Sequence, residues 1–294
     1  MDMKRFLLII AMPLFLWGCR NNASAVALTP EAVLPTSSAA GQDPLQAVAV
    51  NVVSSEPTFT PRPTPVPTPE PSPTPEPSPT SEPTKDPDRP MVALTFDDGP
   101  TQYTVQVLDL LEKYDARGTF FVIGRSLNEK TRPILQRMAD MNCEIGMHDL
   151  NHSDLTRFST AANVKRVTRM RNLISAQIEG GYDAHLLRPP FGSLNKSVRR
   201  ACQSADVACI RWSVDTRDWS NKNLKTILKI VKAEVKDGAI ILFHDRLPTT
   251  VTALKEVIPY LQSQGYELVT VTELIESSGT PLRYGEDYHH KPGR

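Results

Sequence analysis

The sequence has no surplus of charge of either sign: 33 lysines and arginines face 33 aspartates and glutamates. A nucleic-acid partner needs a basic footprint, and this balance offers none. Cysteine is scarce, four in 294 residues. Apart from Cys19 there remain Cys143, Cys202 and Cys209, an odd number that excludes a complete disulfide set. Cys202 falls on a predicted helix and Cys209 on the strand after it. Such neighbours read as small buried hydrophobes, with a bridge as the alternative. No apolar run is long enough for an ordinary membrane span, since Phe6–Trp17 falls short of the roughly 20 residues required. Residues 20–56 hold too few large apolar side chains to offset the entropy of ordering.

Proline, by contrast, is abundant. Residues 57–90 contain 14 of the 26 prolines. Proline removes the amide donor and fixes φ, so neither helix nor sheet is expected there. A polyproline II spacer of about 100 Å is expected instead. The N-terminus reads as a targeting segment: Lys4 and Arg5 precede the apolar run, which ends Leu16-Trp17-Gly18-Cys19. This resembles a bacterial lipoprotein signal, in which the cysteine is acylated, although Trp17 is bulkier than that pattern usually carries. An ordinary signal peptide or an uncut anchor is the alternative. The expected organisation is a lipoprotein-type signal over residues 1–19 and a disordered linker over 20–90. A folded domain follows over 91–277, then a polar tail over 278–294. The expected location is the outer face of the cytoplasmic membrane.

Short β-branched runs predict strands at Val92–Phe96, Thr119–Ile123, Glu144–Met147, His185–Leu187, Val207–Val214, Ala239–Phe243 and Glu267–Val271. Three-to-four apolar spacing predicts helices at Tyr103–Tyr114, Lys130–Met141, Thr160–Gln177, Lys196–Ser204, Leu224–Val235 and Val251–Gln264. In the first of these, Val105, Leu108 and Leu111 share a side. Repeated strand-then-helix units mean parallel strands with right-handed crossovers. Five polar patches follow strands: Thr95-Phe96-Asp97-Asp98-Gly99-Pro100, His148-Asp149-Leu150-Asn151-His152, Arg188-Pro189-Pro190-Phe191-Gly192, Asp215-Thr216-Arg217-Asp218-Trp219 and Leu242-Phe243-His244. In a (β/α) barrel all such strand ends converge on one rim. A seven-unit α/β barrel is therefore favoured over a doubly wound sheet.

His148 and His152 are four apart, so a helical turn would give them one face toward a single metal ion. Asp98 is the natural third ligand. In extended backbone the adjacent Asp97 would point the other way and serve as base; helix capping by Asp98 is the competing reading. Arg188 precedes two prolines, which suits a stiffly held bidentate fork on a carboxylate. Asp215 is expected to hold an imidazole in the needed tautomer. Trp219 would wall a sugar pocket, with plain core as the alternative; Trp212 reads as core or as a supporting residue, and His244 as a partly shielded acid. The cluster Lys165, Arg166, Arg169 and Arg171 reads as a solvated helix face, or as a dock for an anionic polymer.

Taken in order, the five patches resemble the motifs of the polysaccharide deacetylase family (carbohydrate esterase family four, the nodulation-protein-B homology domain), over residues 90–275. The resemblance implies a distorted (β/α)7 barrel that removes acetyl groups from a polysaccharide. It implies Asp97 as base, and Asp98, His148 and His152 as ligands of a divalent metal, usually Zn2+, with Co2+ or another divalent ion as alternatives. Arg188 would steady the base, the Phe191 amide would help hold the oxyanion, and Asp215 would tune the acid His244. Leu242 and Trp219 would line the acetyl pocket. The export signal adds peptidoglycan N-acetylglucosamine as the expected substrate. An O-acetyl esterase of the xylan type, or a non-catalytic wall-docking barrel, is the alternative. The chain departs from the family pattern at Asp149 (usually Ser or Thr), Met147 (commonly Asn), Ser153 (commonly Pro) and Phe191 (frequently Tyr).

Overall fold

The structure is a computed structural model that describes residues 89–221 and 223–293. The signal segment, Cys19 and the proline-rich run up to residue 88 lie outside the described residues. Strands and helices alternate as β1 (Met91–Asp97), α1 (Gln102–Lys113), β2 (Thr119–Val122), α2 (Arg132–Asp140), β3 (Glu144–Met147), α3 (Thr160–Ser175), β4 (Leu186–Leu187) and α4 (Lys196–Ser204). They continue as β5 (Ala208–Ile210), β6 (Val214–Asp215), α5 (Leu224–Glu234), β7 (Ile240–His244), α6 (Pro248–Ser263), β8 (Glu267–Val269), α7 (Val271–Glu276) and β9 (Asp287–Tyr288). Among the described residues no helix is long and apolar enough to cross a membrane.

Every pairing between these strands is parallel, in the order β6-β7-β1-β2-β3-β4-β5-β9, with β8 also against β1. The sheet curls into a half-barrel wrapped by helices, in agreement with the expected (β/α)7 barrel. The edge strands β6 and β9 do not pair. Strand alternation sorts β1 into two faces. Val92, Leu94 and Phe96 pack under the helices, whereas Met91 and Ala93 join Phe121, Leu186, Ile210 and Ile240 on the inner face. Each fully buried residue of this size contributes roughly 1.5–3 kcal/mol. Thr95 and Asp97 continue the inner register, which aims the Asp97 carboxylate at the barrel mouth.

The structure departs from the expected elements in four places. The run Val207–Val214 is two strands, because the chain leaves β4 and β9 on one edge to join β7 on the other. The strand expected to reach Val271 stops at Val269, because Thr270 caps α7 in a reciprocal box with Glu273. The segment after 277 supplies β9, which pairs with β5 and carries Asp287 into contact with Arg199 and Arg211. In α1 the buried side is Thr104, Val107, Leu108 and Leu111, while Val105 is turned outward. Cys202 and Cys209 are buried free thiols with Sγ atoms 3.0 Å apart, so they are the neighbours expected.

Candidate metal centre and active site

Asp97 ends β1 on the inner face and is almost fully buried. Its Oδ1 accepts from Nη1 of Arg188 at 2.8 Å. Arg188 is completely buried, and its planar cation lies over the ring of Phe121 at 4.2 Å, with Trp212 at 5.6 Å. The guanidinium does not form the expected two-pronged fork on one carboxylate. Nη1 also serves Thr95 Oγ1 at 2.8 Å, Nη2 serves the Arg211 carbonyl at 2.9 Å, and Nε the Ile210 carbonyl at 3.4 Å. The fork is divided among a carboxylate, a hydroxyl and the two carbonyls where β5 ends.

Asp98 follows directly, yet its carboxylate does not point to the opposite side. Its φ of 76° takes the chain out of extended geometry and turns Asp98 into the same cleft. Nor does it cap α1, which is capped by Thr101. Behind the turn, Asp245 is completely buried, and a Cβ added at residue 99 would meet its Oδ2 at 2.2 Å. Only glycine fits there. Burial pushes the Asp245 carboxyl up to about 7.

His148 and His152 reach the cleft from the loop after β3, not from a helical turn. Asp149 (φ 65°) and His152 (φ 60°) reverse the backbone twice, and this brings both imidazoles to one point. Asp98 Oδ1 lies 3.7 Å from His148 Nε2 and 3.6 Å from His152 Nε2. One atom from each of the three residues falls within 4.8 Å of the others. The donor set fits a divalent cation on three further counts. Asp98 Oδ1 is buried and takes no hydrogen bond. His148 Nδ1 faces the Arg188 carbonyl at 2.7 Å, so Nδ1 carries the proton and Nε2 the free lone pair. Burial, and then the neighbouring His148, hold His152 below its ordinary pKa, so it is a neutral donor at neutral pH. The other Asp98 oxygen, Oδ2, accepts from Arg246 Nε at 2.6 Å. Burial acts upward on Asp98, but His148, His244, Arg246 and His152 together outweigh it and keep the carboxylate ionised.

His244 ends β7 directly beside Asp97, its partner in the parallel ladder. Its Nδ1 is 2.8 Å from Asp218 Oδ1. Asp218, not Asp215, is the carboxylate that holds this imidazole. Asp215 accepts instead from the Arg217 amide, and Arg217, at φ 56°, turns the chain so that Asp218 returns beneath β7. Asp218 is buried, and its Oδ2 accepts from the His244 amide at 2.8 Å and from Thr250 Oγ1 at 2.5 Å. Burial acts downward on His244, but the Asp218 hydrogen bond and charge, followed by Asp97 and Asp98, prevail and raise its pKa. Phe191 is 67% exposed with its ring edge on His152 at 4.6 Å, and Trp219 is 54% exposed. Leu242, by contrast, is buried on β7.

Residues 84–210 match the family model for polysaccharide deacetylase. The peptidoglycan-N-acetylmuramic acid deacetylase PdaC of Bacillus subtilis is 39% identical over 194 residues, which cover 66% of this chain and 40% of PdaC. The chain thus spans about two fifths of the length of that relative. A peptidoglycan-N-acetylglucosamine deacetylase of Bacillus cereus is 35% identical over 191 residues, covering 63% of this chain and 88% of that protein. The chain belongs to the polysaccharide deacetylase family. A family 4 acetyl xylan esterase from Clostridium thermocellum, solved in complex with a cobalt ion, matches this polysaccharide deacetylase-family fold with a TM-score of 0.64. It is 32% identical, and the match covers 69% of this chain and 100% of that one.

In this polysaccharide deacetylase-family chain the structure adds residues that the sequence leaves unassigned, Asp218, Asp245 and Arg246, and gives Arg166 a different place from the one expected. Asp218 is present in the fourth patch, but nothing in its spacing marks it above Asp215. The basic cluster on α3 is not uniformly solvated. Arg166 turns onto Asp149, and Arg171 donates to the carbonyls of Ala184, Ala205 and Asp206.

Proposed function

We propose that this protein is a metal-dependent hydrolase that removes N-acetyl groups from amino sugars of a cell-wall polysaccharide, first of all peptidoglycan N-acetylglucosamine. The observation that carries this reading is the pairing of Asp97, fixed by Arg188, with His244, fixed by Asp218, on either side of three metal-type donors. Asp98, His148 and His152 would hold the metal, and zinc suits two imidazoles and a carboxylate. When bound, such an ion supplies Lewis-acid polarisation of the amide carbonyl and acidifies water.

The chain's own groups do the proton work. Asp97 takes a proton from the attacking water as its oxygen bonds the acetyl carbon. The Phe191 amide would stabilise the resulting oxyanion. The carbon–nitrogen bond then breaks, and His244 Nε2 gives its proton to the departing amine. Acetate and a free amino sugar result. Without that proton the amine is a very poor leaving group, which is why a raised imidazole pKa matters at this position.

The names of the relatives support peptidoglycan, and the acetyl xylan esterase supports a second reading, ester hydrolysis with the same residues. Release of acetate from N-acetylglucosamine oligomers, wall glycan and O-acetylated xylan separates them. Amide substrates should be cleaved faster, and Asp97→Asn should lower the rate by about 100-fold or more. Metal-loaded protein that releases no acetate from any of the three would end the proposal. A non-catalytic docking barrel would be untouched by Asp97→Asn. For location, we infer a lipid anchor at Cys19 that places the enzyme outside the cytoplasmic membrane.

A further inference from the structure

Between His148 and His152 the chain passes twice through left-handed backbone, at Asp149 and at His152 itself. Such residues persist only where their surroundings hold them. On one side the loop is held by main-chain bonds, from the Gly124 amide to the Asp149 carbonyl and from the Arg125 amide to the Leu150 carbonyl. On the return through Asn151, His152 and Ser153, the only main-chain carbonyl bond among the described residues is a 3.4 Å contact from Arg125 Nη1 to Asn151. What holds the return is the Asp149 side chain, which is fully buried. Its Oδ2 accepts from the Asn151 amide at 3.1 Å and the Ser153 amide at 2.8 Å. Arg166 on α3 then grips the same carboxylate with two prongs, Nε to Oδ1 at 2.9 Å and Nη2 to Oδ2 at 2.8 Å. Nη2 also donates to Ser153 Oγ at 3.1 Å, and the guanidinium lies 4.5 Å above the Phe158 ring.

We infer that Arg166, acting through Asp149 and Ser153, is the positioning residue that sets His152 for metal binding in this chain. This rests on the metal-centre reading above. Two of the chain's departures from the family pattern, Asp149 and Ser153, meet on this one guanidinium. The chemistry explains why they go together. A serine or threonine at 149 would accept the loop amides without bringing charge, whereas a buried carboxylate needs a cation. A proline at 153 would have no amide to give that carboxylate, whereas Ser153 supplies an amide and a hydroxyl. Arg166 is the cation, and Val167, Met170 and Ile174 seat its helix in the core.

The test is metal affinity, measured by competition with a chromophoric chelator for Zn2+ and by the visible spectrum of bound Co2+, neither of which needs turnover. Arg166→Met should weaken binding 10- to 100-fold, the usual cost of removing a residue that orients a ligand, and should alter the Co2+ bands. Arg166→Lys keeps the charge but loses the planar fork, so it should also weaken binding tenfold or more. The family-like triple variant Asp149→Ser, Ser153→Pro, Arg166→Met should regain most of the affinity. If Arg166→Met does not fold, the lysine and triple variants decide. Affinity within tenfold of the original in Arg166→Lys, or a triple variant no better than a folded Arg166→Met, overturns the inference. A parent protein that binds neither metal overturns the metal centre itself, and the inference with it.

Discussion

His244 is subject to two opposed influences, and their balance sets its working range. Burial disfavours the imidazolium, but the Asp218 carboxylate at 2.8 Å outweighs that and raises the pKa. Because the folded value lies above the unfolded one of about 6.5, the pair stabilises the fold fully below that pH. The contribution is lost as pH rises through the raised folded value. In the proposed mechanism catalysis follows the same proton, so the alkaline limb of kcat/KM should lie above the ordinary histidine value. Asp218→Asn removes the charge, and the limb should shift to lower pH, with the rate down tenfold or more. Asp215→Asn should leave the limb in place, since that carboxylate is bonded to the Arg217 amide. A pH–rate profile of both variants checks this; if Asp215→Asn moves the limb and Asp218→Asn does not, the assignment is reversed.

At the scale of elements, strand ends were readable and turns were not. Alternating apolar runs locate β1, β3 and β7, and parallel strands bring their ends to one rim whatever the loops do. The five patches are legible for that reason. The geometry inside the patches depends on left-handed backbone at Asp98, Asp149, His152, Phe191 and Arg217. Such conformations cost roughly 1–3 kcal/mol each, and histidine, phenylalanine and arginine give no local signal for them. The adjacent carboxylates and the histidine pair therefore meet by a route that spacing alone misstates, and Asp218 passes for an unremarkable turn residue. The late strand β9 escapes for another reason. Its two residues carry no periodicity, and its place is fixed by distant partners, Arg211 Nη2 at 2.5 Å and the ladder with β5. A chain cut after Ser277 should lose this edge and expose Ile210, Cys209 and Tyr288's site. Its melting temperature should fall by about 5 °C or more, at roughly 2–4 °C per kcal/mol for a domain of this size. An unchanged melting temperature would make β9 dispensable and restore the boundary at 277.

For the whole molecule, the means of attachment matters as much as the site. Adhesion to an anionic membrane surface requires an excess of basic residues, each contributing about 1 kcal/mol near the bilayer, and the net charge here is zero. A covalent anchor at Cys19 is then the proposed means. One acyl chain holds only weakly, but two or three hold firmly. As part of the same proposal, a spacer of this composition would let the domain work about 100 Å from that anchor, a reach suited to a wall polymer. Cys19→Ser in the full chain should transfer the protein from the membrane pellet to the soluble fraction. Acetate release per mole of folded protein should stay as before, because the anchor lies outside the catalytic groups. A Cys19→Ser protein that still sediments with membranes, and leaves them only on addition of detergent, would point to an uncut apolar segment and remove the lipid from the proposal.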